Sequence, residues 1–179
     1  MTKQTWLITG VSSGFGRSLT TQLLAQGQTV VGTVRNTSKV QDLIEQYPDT
    51  FICETLDVMD VAAIHELVNK IASEHTIDVL VNNAGYGLFG AAEELSDEEV
   101  NKIIATDLTG SIQMIRSVLP YMREQQHGRI IQISSYGGQV AYPGNSMYHA
   151  AKFGIEGFCE SVAQEVAAFN IGVTIVEPG

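Results

Sequence analysis

Two cysteines in 179 residues, Cys53 and Cys159, are too few and too far apart for a disulfide framework or a zinc-binding spacing. They read as buried free thiols in a reducing compartment, and no metal site is expected. Positive charge is scarce as well: 10 Lys and Arg stand against 20 Asp and Glu, a formal net charge of −10. That balance argues against nucleic acid or an anionic membrane as partner. It leaves room for a phosphate-bearing small molecule, because a local cluster of backbone N–H groups outweighs a distant negative field. No apolar run reaches the eighteen or so residues of a membrane helix. The opening "MTKQTWLITG" enters a β-rich stretch too soon to hold a signal peptide. With no repeat, linker or low-complexity stretch, residues 1–179 are expected to form a single cytoplasmic domain.

What is present is alternation. "TWLIT" (5–9), "TVVGTV" (29–34), "FICETL" (51–56), "DVLVNN" (78–83), "RIIQIS" (129–134) and "GVTIV" (172–176) read as strands. Between them lie helical patterns, such as Leu19, Leu23 and Leu24 before a stop at Gly27, and Val61, Ile64, Leu67, Val68 and Ile71. Ser96 with Glu99 three residues on forms a capping box, opening a helix expected to run to about Gln125 with a bend near Pro120. A last helix is expected from about Ser146 to Phe169. Such alternation specifies an α/β fold, a doubly wound parallel sheet in strand order 3-2-1-4-5-6. Its ligands belong beyond the carboxyl ends of the strands.

The first strand-end loop is "TGVSSGFG", with Gly10, Gly14 and Gly16. Glycines let the backbone turn sharply and approach a ligand, and a helix N-terminus favours pyrophosphate. Near the other end of the chain, "MYHAAKFG" sets Tyr148 and Lys152 four residues apart, about 6 Å along a helix and roughly 40° around it. A phenol with a reference pKa of about 10 carries protons poorly near neutrality, and a nearby ammonium favours the phenolate. That pairing suits a tyrosine prepared to move a proton.

Together, T-G-x-x-x-G-x-G after the first strand, N-N-A-G after the fourth, a serine after the fifth and Y-x-x-x-K on the last helix resemble the short-chain dehydrogenase/reductase family, in its compact branch. The resemblance runs the length of the chain. It implies a Rossmann-fold oxidoreductase that interconverts a secondary alcohol and a carbonyl, with Tyr148 as acid/base. Lys152 would hold the tyrosine and the nicotinamide ribose, and Ser135 would orient the substrate oxygen. Gly10, Ser12, Ser13, Gly14, Phe15 and Gly16 would line the cofactor's phosphates. Asp57 and Val58 would meet the adenine. Asn83, Ala84 and Gly85 would pass the adenosine ribose, and Pro178 and Gly179 would flank the nicotinamide. One position departs: "ATDLTG" puts Asp107 where the family carries an asparagine of its proton relay. The main-chain carbonyl is kept, but a carboxylate replaces the amide.

The slot where NAD enzymes of this fold place an acid is Val34, followed by Arg35, which suits a 2′-phosphate. NADP(H) is therefore expected over NAD(H). "YGLFG" (86–90) and "YGGQVAYPGNSM" (136–147) should border the substrate, and their aromatic residues point to a lipophilic alcohol or ketone. The resemblance also implies a homo-oligomer. A cofactor-binding sensor or scaffold with little turnover is the alternative, and epimerase chemistry would call for G-x-x-G-x-x-G in the first loop. The sequence stops at "VEPG", before the substrate-covering segment that the resemblance leads one to expect. On that ground it reads as part of a longer polypeptide with its cofactor half complete.

Overall fold

A computed structural model describes residues 2–179. Six parallel strands form one sheet: β1 (Thr5–Thr9), β2 (Thr29–Val34), β3 (Phe51–Thr55), β4 (Val79–Asn82), β5 (Gly128–Ile133) and β6 (Ile171–Val176). Their order is β3-β2-β1-β4-β5-β6, as expected from the alternation. The helices are α1 (Gly14–Ala25), α2 (Gln41–Gln46), α3 (Val61–Glu74), α4 (Asp97–Ile104), α5 (Ser111–Gln125) and α6 (Ser146–Val166).

Successive strand residues point to opposite faces, so each buried strand feeds two cores. Leu7, Val31, Leu80 and Ile130 face α3, α5 and α6, meeting Ile64, Met114, Ile115 and Ile155. Ile8, Val30, Val79 and Val81 face α1 and α2, meeting Leu23, Leu24 and Leu43. Each fully buried Leu or Ile of this kind contributes about 1.5–3 kcal/mol. The run "TVVGTV" is buried throughout because both of its faces are covered.

Local signals fix the helix ends. Gly27 follows α1 with φ +78°, and Ser96 and Glu99 make the capping box at α4. The helix beginning at Asp97 runs to Gln125 as expected, carries a π-helical turn at Ala105–Gly110 and holds Pro120 within α5. The distortion lies where Gly110 presses on β3's outgoing loop: a Cβ there would stand 2.7 Å from the Val58 carbonyl oxygen. One expectation, that both thiols are buried, needs correcting. Cys159 is buried, whereas Cys53 on β3 is only partly so, because the solvent reaches that edge strand.

The carboxyl ends of β1, β2, β4 and β5 are knotted together by backbone and side-chain hydrogen bonds. The N–H groups of Gly10 and Val11 donate to the Thr33 carbonyl at 3.0 and 3.1 Å. The Thr9 hydroxyl accepts from the N–H groups of Asn83 and Ala84, both at 3.0 Å. Asn82 reaches across to Gln132 at 3.1 Å and to the Ser111 carbonyl at 2.9 Å. The rim that should carry a ligand is thus rigid before any ligand is considered.

Candidate active site

A cleft of about 800 Å³ opens along this rim, within the size range of small-molecule sites. It is lined by Gly10, Ser12, Ser13, Gly14 and Phe15 from the first loop, and by Arg35 after β2. Asp57 and Val58 follow β3, Asn83 to Gly85 follow β4, and Ser135, Asp107, Tyr148, Lys152, Pro178 and Gly179 close the far end. Every site residue expected from the sequence is therefore brought to one cleft except Gly16. That residue is buried beneath the first loop, where a Cβ would lie 2.4 Å from both the Gly10 carbonyl oxygen and the Asn83 amide nitrogen. Its lack of a side chain lets α1 begin close to the sheet.

Gly10 and Gly14 adopt φ +73° and +55°, a region that side-chain-bearing residues rarely enter. Ser13, at the N-cap of α1, makes no side-chain cap, so the helix's first N–H groups remain directed into the cleft. Asn83 lines the cleft, and its side-chain amide donates to the carbonyls of Thr9 and Gly10 at 3.0 Å each, so it also braces the glycine loop. Asp57 accepts the Met59 N–H at 3.0 Å and shapes the turn after β3. Arg35 is exposed at the end of β2 and has no carboxylate partner among the described residues. Arg17, by contrast, is engaged by Asp42 and by the Lys39 carbonyl.

At the other end α6 presents Tyr148 and Lys152 on neighbouring turns. The Lys152 ammonium lies 5.5 Å from the Tyr148 ring centroid. Lys152 is only 6% exposed, donating to the Ile133 carbonyl at 3.3 Å and standing 3.8 Å from the Asp107 carboxylate. Burial pushes the lysine's pKa down, opposed by the charges of Asp107 and Glu156. Burial pushes Asp107 up to about 6, opposed by Lys152 and by the Tyr86 N–H that donates to it at 3.1 Å. The carboxylate that replaces the family's amide is thus an ion-pair partner of the buried lysine.

Ser135 is buried, and its hydroxyl oxygen accepts the Gly137 N–H at 3.1 Å. A serine oxygen so engaged keeps its own O–H to donate. Thr9, Ser134, His149 and Glu156 escaped the sequence reading. The available signal was weak: polar residues at strand ends or within α6 that turn out buried.

The short chain dehydrogenase family model matches residues 4–179, and the chain belongs to that family. It is 41% identical over 184 residues to a 3-ketodihydrosphingosine reductase from Bacteroides thetaiotaomicron, covering 100% of this chain and 64% of that protein. The chain thus spans somewhat under two thirds of that relative's length. Among solved structures it is similar to a short-chain dehydrogenase from Streptomyces avermitilis, with TM-score 0.96, 41% identity, and coverage of 100% of this chain and 66% of that one. It is also similar to a metagenomic short-chain oxidoreductase in complex with NADP, with TM-score 0.93, 30% identity, and coverage of 98% and 82%.

Proposed function

We propose that the protein is an NADP(H)-dependent oxidoreductase that interconverts a secondary alcohol and a carbonyl, with Tyr148 as the acid/base. The observation that carries this reading is the convergence of Ser135, Tyr148 and Lys152 on one end of the cleft, opposite the glycine loop. The residues present fit a nicotinamide dinucleotide. The uncapped start of α1 and the positive-φ turns at Gly10 and Gly14 offer N–H groups to a pyrophosphate. Although the chain is strongly acidic, the cleft is lined by three cations, Arg35, Lys102 and Lys152, against two acids, Asp57 and Asp107. Gly10, Ser12, Ser13, Gly14 and Phe15 would hold the phosphates, Arg35 the 2′-phosphate, and Asp57, Val58 and the turn Asn83–Gly85 the adenosine. The dinucleotide supplies the hydride or takes it up.

The chain's own groups manage the oxygen and its proton. In the reducing direction Ser135 donates a hydrogen bond to the carbonyl oxygen, and the Tyr148 hydroxyl delivers the proton as that oxygen becomes an alkoxide. Lys152 keeps positive charge beside the phenol, and the relay to solvent returns a proton to it. Tyr86, Phe89 and Tyr136 line the cleft and favour a lipophilic carbonyl compound. The similarity to a 3-ketodihydrosphingosine reductase supports that substrate class. A sensor without turnover is not favoured, since it would have no use for a buried lysine held against a tyrosine. Incubating the protein with NADPH and a panel of ketones, and following loss of NADPH absorbance, tests the proposal; no turnover with any of them would reject it.

Cofactor choice rests on Arg35. Arg35→Asp is expected to weaken NADPH binding by about 1.5–3 kcal/mol, roughly ten- to a hundredfold, through loss of a charge-assisted contact. NADH binding should hardly change, so the preference narrows or reverses in fluorescence titrations. Equal affinity of the parent protein for the two cofactors would remove Arg35 as the selector.

Asp107 makes a pH-dependent contribution. Its folded pKa of about 6 lies above the ordinary 3.8, so between those values the folded chain holds a proton that the unfolded chain releases. The stability contributed by this group is full below 3.8 and is lost as pH rises through about 6. Asp107→Asn should remove that loss and gain stability relative to the parent from pH 4 to pH 7, read as the shift in urea midpoint. Activity should be kept or raised where Asp107 is ionised, because the carboxylate no longer offsets the lysine's charge. A loss above about a hundredfold, close to 2.7 kcal/mol, would give the carboxylate a chemical role of its own.

A further inference from the structure

On α6, His149 and Glu156 are seven residues apart, about 20° from eclipsed and roughly 10 Å apart along the axis. They form a stripe beside the one that carries Tyr148 and Lys152. Both are buried, at 6% and 4% exposure, and both turn their polar atoms toward the segment 134–142 that leaves β5. The Glu156 carboxylate accepts the Ser134 hydroxyl at 2.5 Å and also the Gln139 amide. His149 bonds the Gly137 carbonyl through Nδ1 at 2.7 Å and accepts the Tyr142 N–H through Nε2 at 3.0 Å. This pattern requires a neutral ring with its hydrogen on Nδ1.

We propose that His149 and Glu156 are positioning residues that clamp the 134–142 segment to α6 and so hold Ser135 in register with Tyr148. The residues on either side of Ser135 are the gripped ones: Ser134 by Glu156, and Gly137, whose N–H orients the Ser135 hydroxyl, by His149. The segment's other side is tied to the β6 end, where the Ser134 and Tyr136 N–H groups donate to the Val176 and Pro178 carbonyls at 2.8 and 3.0 Å. The fit leaves no slack. A Cβ on Gly138 would stand 1.9 Å from a Glu156 oxygen, and one on Gly137 3.0 Å from His149 Nδ1. The His149 ring also lies between those of Tyr148 and Tyr142, with centroids 6.1 and 6.2 Å away, so the same residue spaces the tyrosine from the substrate wall. Nothing in the clamp touches the glycine loop.

The inference rests on the oxidoreductase reading only for its kinetic arm. In a cycle of parent, His149→Phe, Ser135→Ala and the double variant, His149→Phe alone should lower kcat by about tenfold, with NADPH affinity within about threefold. In the Ser135→Ala background the same change should cost less than about threefold, because no hydroxyl remains to be positioned. His149→Asn, which restores a donor to the Gly137 carbonyl, should recover part of the loss. Independently of turnover, amide exchange followed by mass spectrometry should rise across 134–142 in His149→Phe while residues 5–25 stay as protected as in the parent. Ser134→Ala, which removes one Glu156 contact at little cost in volume, should raise exchange in the same segment if His149→Phe fails to fold. Unchanged exchange across 134–142, or kinetic effects that simply multiply with Ser135→Ala, would overturn the clamp. A parent that reduces no carbonyl but shows the exchange pattern would reject the reaction and keep the clamp.

Discussion

Tyr148→Phe is expected to lower kcat for carbonyl reduction by about 10²–10⁴-fold, the usual worth of a positioned general acid, while NADPH affinity stays within a few-fold. The substitution removes one oxygen and leaves the ring. The packing of that ring against the Lys152 ammonium, 5.5 Å from its centroid, and against His149, 6.1 Å between centroids, is therefore kept. Ser135 lies in the same cleft, but its oxygen is engaged by Gly137, and in the proposed reaction it donates a hydrogen bond without releasing a proton. The loss should fall on kcat and kcat/KM together, since the proton moves only in the transition state. Steady-state kinetics with a saturating ketone, together with a fluorescence titration of NADPH, separates the two effects. A variant with near-parent kcat would end the tyrosine mechanism.

The fold was legible because its periodicities are local. The short, wholly buried β-branched run "TVVGTV" and the helical recurrence of Ile64, Leu67, Val68 and Ile71 are read within a dozen residues, and the parallel order follows from the connections. Tyr148 and Lys152 were legible for the same reason: four residues on one helix fix their relation. What stayed hidden is set by contacts between distant parts of the chain. Thr9 binds the N–H groups of Asn83 and Ala84, more than seventy positions away, and only the adjacency of β1 and β4 reveals it. His149 sits inside the very motif that was read, yet its partners lie on a loop positioned by β5 and β6. The π turn at Ala105–Gly110 has no local breaker to announce it; at its end Gly110 lies so close to the Val58 carbonyl oxygen that a Cβ would stand 2.7 Å away, a contact between elements that sequence spacing does not display. Gly16 is a related case: its place in a glycine motif pointed to a ligand, while the close packing of its α-carbon against Gly10 and Asn83 is visible only in the fold.

Gly16→Ala, a single added methyl, is accordingly expected to be among the most damaging small changes in the chain. The new Cβ would stand 2.4 Å from the Gly10 carbonyl oxygen and 2.4 Å from the Asn83 amide nitrogen, and neither neighbour can yield cheaply. Gly10 is fixed by its N–H bond to the Thr33 carbonyl, and the Asn83 amide already serves the Thr9 and Gly10 carbonyls. Either α1 shifts outward, an overpacking cost of about 1–3 kcal/mol, or the Asn83 bonds break, leaving polar groups unsatisfied at about 1–3 kcal/mol. Both responses move the N–H groups at the start of α1 away from the glycine loop, so NADPH binding should weaken along with stability. Gly14→Ala provides the control. At φ +55° it has nothing within 4 Å of the added Cβ, and its cost is backbone strain alone, about 1–2 kcal/mol. Urea midpoints and NADPH titrations should therefore rank parent, Gly14→Ala and Gly16→Ala in falling order for stability, with the larger loss of affinity at the residue that does not face the ligand. If Gly16→Ala matched the parent in both measurements, the knot of Gly10, Gly16 and Asn83 could not be what sets the cofactor loop.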